Sequence, residues 1–195
     1  MKQFVLASGN KNKFKEFELL LRPLKIKLIS ISELGISLDG VSEDGKTYAE
    51  NALIKANAVA KHTSLPIIAD DSGLSINALD GFPGLNSDRF LFGESAANKN
   101  DAVINLMENV SDRSASFFAA IALINYQEEP LVFIGEAKGE ILKKQVGSHG
   151  FGYDPIFYSF EANKPFALLS DEEKNAVSHR GKAVKKLLDY LSESA

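Results

Sequence analysis

Apolar and polar positions along this chain follow two rhythms, one of period two and one near 3.6, and these separate strands from helices. Residues 3–7 form a short apolar run that predicts a first strand. Ser8-Gly9-Asn10 breaks it, and from Lys11 to Leu21 apolar residues fall at 14, 17, 20 and 21, the spacing of an amphipathic helix. Lys25 to Ile31 predicts a second strand, followed by a Ser-, Gly- and acid-rich connection from Ile31 to Gly45. Thr47 opens a helix to about His62, with apolar or small residues at 49, 52, 53, 56, 59 and 60, and Thr47 and Glu50 have capping-box spacing. From Leu65 an apolar run rises out of Pro66 and ends in two acids, Asp70 and Asp71. Ser72 and Gly73 are turn formers, so the strand is predicted to emerge at the acids and another to run from Gly73 to Leu79.

The later pattern gives a turn-rich loop at 80–84 and a helix from Ser95 to Asn109. A hairpin of strands at 115–125 and 131–142 follows, then a last helix with apolar positions at 183, 184, 187, 188 and 191. Ser178 is placed to cap that helix, with His179 and Arg180 in its first turn. Arginine opposes the helix dipole there, which suggests that it serves something else. No repeat, low-complexity stretch or linker interrupts the pattern, so residues 1–195 are expected to form one domain.

Composition narrows the function. The chain has no cysteine, which excludes disulfides, zinc–thiolate sites and thiol catalysis. The apolar run Phe4–Ala7 is too short for a signal peptide and no segment reaches membrane-spanning length, so a cytoplasmic protein with no membrane partner is expected. A net charge of −4 argues against a general nucleic-acid binder. Residues 1–27 carry seven Lys or Arg against two acids, whereas residues 28–88 carry nine acids against three lysines. Cations return at Lys174, Arg180, Lys182, Lys185 and Lys186. Folding the ends against the middle would bring cationic arms and carboxylates together, although solvated faces would give the same segregation.

Four stretches carry candidate chemistry. The strand–turn–helix at 3–21, with Lys11 and Lys13 at the helix start, suits an anion, because free N–H groups and the helix dipole point the same way. It lacks the second glycine and the Lys-Ser/Thr pair of a Walker loop. Asp70 and Asp71 must face opposite ways on a strand, so one cleft can hold only one of them. Glu43 has no capping duty and is the freer acid to join an Asp, whereas Glu50 is expected to cap. Gly147 to Pro155 interleaves glycines with aromatics and an acid. Phe151 there offers a stacking face and Asp154 an acceptor, the parts of a nucleobase pocket; a tight aromatic corner of the core is the alternative.

Taken together, Ser8-Gly9-Asn10-Lys11-Asn12-Lys13, Glu43, Ala69-Asp70-Asp71-Ser72-Gly73, Gly150-Phe151-Gly152-Tyr153-Asp154-Pro155 and Glu173 to Arg180 resemble the inosine/xanthosine triphosphate pyrophosphatase family. Departures are Ser8 where threonine is common, Ser148-His149 for the commoner Thr-Gly, and Asp88-Arg89-Phe90 for Ala-Arg-Tyr. The resemblance implies an elongated α/β protein with a long mixed sheet flanked by helices, two lobes around a central cleft, and a homodimer. It implies hydrolysis of dITP, ITP and XTP to the monophosphate and pyrophosphate with Mg²⁺. By position, Asp71 would be general base and metal carboxylate, and Glu43 the other metal carboxylate. Ser8, Gly9, Asn10, Lys11, Asn12 and Lys13 would hold the triphosphate, and Ser72 would contact substrate. Phe151, Gly152, Tyr153, Asp154, Lys174, His179 and Arg180 would form the base side. A pyrophosphatase with another base preference, such as a modified pyrimidine, and a non-catalytic nucleotide sensor are the alternatives.

Overall fold

The computed structural model describes residues 2–193. Seven strands form one mixed sheet: β1 (Gln3–Leu6), β2 (Lys27–Ser30), β3 (Ile67–Ile76), β4 (Ser114–Ile124), β5 (Leu131–Ile141), β6 (Phe157–Ser159) and β7 (Lys164–Pro165), in the order β2-β1-β3-β4-β5-β6-β7. Five helices accompany them: α1 (Lys11–Leu21), α2 (Tyr48–Ala60), α3 (Ala96–Leu106), α4 (Asp171–Val177) and α5 (His179–Glu193). β1 runs parallel to β2 and β3, with Val5 opposite Ile29 and Ile67, while β5, β6 and β7 pair antiparallel. Among the described residues no helix is long and apolar enough to cross a membrane.

The predicted α1 and α2 form as expected, capped by Asn10 and Thr47. The turn expected at Ser72-Gly73 does not form. β3 continues through it to Ile76 as one ten-residue strand, and Asp70 and Asp71 lie inside it. The apolar rhythm persists beyond the acids: Leu74 and Ile76 are fully buried, and the Leu74 N–H donates to Ser87 Oγ at 2.8 Å. Core burial and pairing outweigh the local turn preference of a Ser-Gly pair.

The chain divides into two compact units. Unit 1 comprises residues 2–71, Ala119–Gly135 and 180–193; unit 2 comprises Ser72–Phe118 and Glu136–His179. In unit 1 the sheet is buried on both faces, which is why its strands read as unbroken apolar runs. Phe4, Leu6 and Ile68 pack with Phe17 and Leu21 of α1 and with Ala183, Val184, Leu187 and Leu191 of α5. The alternate residues Val5, Ala7, Ile67 and Ala69 pack with Ala52, Ala56 and Val59 of α2. This period of two decides which helix each aspartate meets: Asp70 continues the row of Ile68 toward α1 and α5, and Asp71 the row of Ala69 toward α2.

In unit 2, Leu74 and Ile76 pack with Val103 and Met107 from α3 and its C-cap, and with Phe117, Phe157 and Phe166. Arg113 ties the end of α3 to β5, its guanidinium donating to the carbonyls of Met107 and Ile141 at 2.6 Å each and of Leu142 at 2.8 Å. Gly139 permits the β5–β6 pairing, since a Cβ there would come within 2.0 Å of the Tyr158 carbonyl. α4 carries a full capping box between Ser170 and Glu173.

Candidate active site

The densest charge in unit 1 lies on the two faces of β3. On the α2 face, Lys55 Nζ is 2.8 Å from Asp71 Oδ1 and 2.8 Å from Glu43 Oε2. Asn51, one turn earlier on α2, donates to Asp71 Oδ2 at 3.3 Å and accepts the Gly45 N–H at 2.9 Å. It thereby ties the segment carrying Glu43 to the strand carrying Asp71. Burial pushes the Asp71 carboxyl above its ordinary range; Lys55 and Lys13 oppose this and Glu43 adds to it. Burial lowers the Lys55 ammonium, but Asp71 and Glu43 outweigh it and leave it raised and charged. Tyr48 is pushed up to about 12 by burial and by the Asp71 charge.

Two carboxylates converging on one ammonium fit a divalent cation. Magnesium takes one or two protein carboxylates and fills its remaining positions with water and substrate oxygens. Lys55 already shows that a cation can sit between Glu43 and Asp71. No cluster of three or more metal-ligating side chains occurs among the described residues, so any ion here would rest on this pair.

On the opposite face Asp70 is balanced. Lys13 Nζ lies 2.7 Å from Asp70 Oδ2, Arg180 spans Asp70 through Nε and Nη2, and Arg180 Nη1 reaches Glu16 at 2.5 Å. Burial would raise the Asp70 carboxyl, but Arg180 and Lys13 outweigh it and hold it far below the usual carboxylate range. Arg180, placed against its helix dipole, is held here by Asp70 and Glu16. Asp70 thus serves as counter-ion to both Lys13 and Arg180. Glu50 is likewise engaged, its Oε2 accepting the Lys46 N–H while Thr47 Oγ1 accepts the Glu50 N–H. The capping spacing is therefore used, with the return bond shifted by one residue.

The expected anion loop differs in detail. Two of the N–H groups at the start of α1, those of Asn12 and Lys13, donate to the Asn10 side chain at 2.9 and 3.2 Å. Ser8 Oγ accepts the Asn10 N–H at 3.2 Å, and Gly9 and Lys11 are exposed. The loop is thus closed on itself by Asn10, and Lys13 is turned to Asp70.

Unit 2 builds a second constellation. Asp154 is buried, and its Oδ2 accepts the Phe151 N–H at 2.8 Å and Lys174 Nζ at 2.7 Å. Gly150, at φ +77°, is required for this approach, since a Cβ would lie 2.1 Å from Asp154 Oδ2. Lys174 is also 4.8 Å above the Phe151 ring. The glycines of this loop thus let the backbone close on the protein's own carboxylate. The Tyr153 hydroxyl donates to the Ser87 carbonyl at 2.9 Å, and its phenol is pushed up to about 12 by burial and then by the Asp88 charge. His179 is buried and stacks on Phe117, ring centroids 4.7 Å apart. Ser72 is half-buried in β3. In the 86–93 loop, Phe90 packs edge-on against Phe82.

Several of these residues escape the sequence reading. Lys55 and Asn51 stand four apart among the small residues of α2, and polar groups on that inner face are the signal that could have found them. Glu16, Ser87 and Phe117 carry no comparable local signal.

Fold and site define a class: a mixed-sheet α/β protein whose buried Asp71 and half-buried Glu43 form a carboxylate pair suited to a divalent cation. Residues 4–190 match the Ham1 family, and the chain belongs to that family. A dITP/XTP pyrophosphatase from Coxiella burnetii is 44% identical over 200 residues, covering 100% of this chain and 98% of the relative. One from Clostridium perfringens is 40% identical, covering 98% of both chains. Among solved structures, a HAM1 protein from Coxiella burnetii superposes with a TM-score of 0.88 at 43% identity, covering 99% of this chain and 100% of that one. The Staphylococcus aureus Ham1 protein gives 0.86 at 38%, covering 100% of both.

Proposed function

We propose that this protein hydrolyses dITP, ITP and XTP to the nucleoside monophosphate and pyrophosphate, removing deaminated purines from the nucleotide pool. The observation that carries this reading is the convergence of Glu43 and Asp71 on one cation position, in a family whose relatives above are named dITP/XTP pyrophosphatases. Glu43 and Asp71 would hold Mg²⁺, which when bound neutralises phosphate charge and polarises the attacking water. Asp71, whose carboxyl burial raises, orients that water and takes its proton as general base. The water oxygen bonds to the α-phosphorus, the bond from that phosphorus to the α–β bridging oxygen breaks, and pyrophosphate leaves.

Ser8 to Lys13 would receive the triphosphate, with Lys13 exchanging part of its contact with Asp70 for a phosphate oxygen, and Ser72 would contact the substrate. Phe151 to Asp154, Lys174, His179 and Arg180 would read the base. Inosine and xanthosine carry an oxygen at purine position 6, which accepts from a cationic or N–H donor, whereas adenine places a donor there. A site built on such donors rejects the adenine nucleotide strongly. The protein would act in the cytoplasm as a homodimer, on nucleotides and not on nucleic acid.

The test is pyrophosphate release from dITP, XTP, dGTP and dATP, with Mg²⁺ and with chelator. Metal-dependent release from dITP and XTP, with dGTP and dATP hydrolysed far more slowly, is expected. Orthophosphate as the product would place the attack at the wrong phosphorus and overturn the mechanism, and tight dITP binding without turnover would favour a sensor.

A further inference from the structure

Asparagine is a poor choice for the interior of a helix, where its side chain competes with the backbone. Asn100 nevertheless sits on α3 with no exposed surface. Its Oδ1 is buried with no hydrogen-bond partner, an arrangement that costs stability. What the amide gains lies on its nitrogen, which donates to the Gly152 carbonyl at 3.1 Å and to Gln145 Oε1 at 3.3 Å.

The direction of this amide is fixed by its neighbours. Gln145 Nε2 donates to the Ala97 carbonyl at 3.1 Å and to Asp101 Oδ1 at 2.7 Å, so both of its hydrogens are used and its oxygen must face Asn100. Reversing Asn100 would set oxygen against both Gln145 Oε1 and the Gly152 carbonyl. The unmatched Oδ1 is therefore the consequence of holding Gly152 from α3. Gly152 lies at φ +62°, between Phe151 and Tyr153, in a segment also held by bonds from the Phe151 N–H and Lys174 Nζ to Asp154 and from the Tyr153 hydroxyl to Ser87. We infer that Asn100 is a positioning residue: through the Gly152 carbonyl it sets the conformation of segment 151–154, and Gln145 sets Asn100. That this segment reads the purine rests on the function proposed above; that Asn100 orders it does not.

Asn100→Asp replaces both donors with acceptors at nearly unchanged volume, and Gln145→Leu removes the support at a half-buried, more tolerant position. Two readouts are made on the full chain: amide hydrogen exchange across residues 147–155, and steady-state hydrolysis of dITP and dATP. In Asn100→Asp, exchange in that segment should quicken about tenfold, the effect of losing one or two hydrogen bonds. KM for dITP should rise about tenfold with kcat within about twofold, the mark of lost uniform binding. The slow dATP rate should not change, so selectivity narrows. Gln145→Leu should move the same quantities in the same direction by less, and it carries the test if Asn100→Asp fails to fold. Unchanged exchange at 147–155 in a folded variant overturns the inference, as does a fall in kcat at constant KM. Wild-type protein that releases no pyrophosphate from dITP would sink the proposed function instead, and the exchange comparison would still decide the role of Asn100.

Discussion

The two faces of β3 carry adjacent aspartates in opposite electrostatic circumstances. Asp71 shares Lys55 with Glu43, so two carboxylates face one ammonium at contact distance, and burial raises its carboxyl. Asp70 is clamped between Lys13 and Arg180, with Glu16 completing a ladder of two acids and two bases, and its carboxyl is held far down. Unit 2 gives a third case, one carboxylate with one ammonium, Asp154 and Lys174, set among aromatic rings. Buried charge is costly unless balanced. The pair at Glu43 and Asp71 therefore keeps an acid surplus, which the proposed cation would balance, whereas the cluster around Asp70 is already balanced.

The sharpest way to break this comparison is to neutralise each aspartate in turn. Asp71→Asn should lower kcat for dITP by about 10²–10⁴, the worth of a general base, while leaving the thermal transition in place. A rate within tenfold of wild type would end the assignment of Asp71. Asp70→Asn should instead act on the fold, because it strands Arg180 and Lys13 beside a neutral amide. Breaking one side of such a pair costs about 3–5 kcal/mol. Urea unfolding measures this, and a loss below about 1 kcal/mol would show that the ladder is not structural.

Next in size is the response to metal. If the surplus at Glu43 and Asp71 awaits a divalent ion, millimolar Mg²⁺ should raise Tm in the absence of nucleotide, and chelator should reverse it. At a hundredfold excess over Kd the gain is about 2.7 kcal/mol. Asp71→Asn should abolish the shift and Asp70→Asn should keep it. Equal shifts in both variants would erase the distinction between the two faces.

How much of this was legible in the sequence follows from the range over which each signal acts. α1 and α2 run for several turns with clear caps and were read closely, and so was the opposite facing of Asp70 and Asp71, since alternation is a local rule. The break predicted at Ser72-Gly73 does not form because turn propensity is local, whereas the burial of Leu74 and Ile76 depends on helices and strands far along the chain. β6, β7 and α4 are three, two and seven residues long, too short to establish a period. The acids of the site were visible as motifs. Their partner Lys55 was not, because a lysine on a helix is ordinarily solvated and only the packing of α2 on the sheet turns it inward. Asparagine directly before a helix is a favoured N-cap, so the Asn10 cap, which takes two of the N–H groups expected for an anion, does carry a local signal.

The smallest effect contrasts unit 2 with the charged strand of unit 1. Its loop is held partly by a neutral bond, from the Tyr153 hydroxyl to the Ser87 carbonyl, so its stability should answer to alkali rather than to metal. The Tyr153 phenol is pushed up to about 12 in the folded chain, against about 10 in an unfolded one. An acid whose folded pKa is raised stays protonated in the native state while the unfolded chain ionises. Its contribution is therefore full below about pH 10 and is lost as pH rises toward the folded value. Tyr153→Phe should cost about 1 kcal/mol at neutral pH, the net worth of one hydrogen bond. Because phenylalanine cannot ionise, that gap should close between about pH 10 and 12. Urea midpoints of the two proteins across that interval measure it. A gap that stays constant would mean that the hydroxyl contributes packing alone, and that the loop is held by its ion pair like the buried ladder around Asp70.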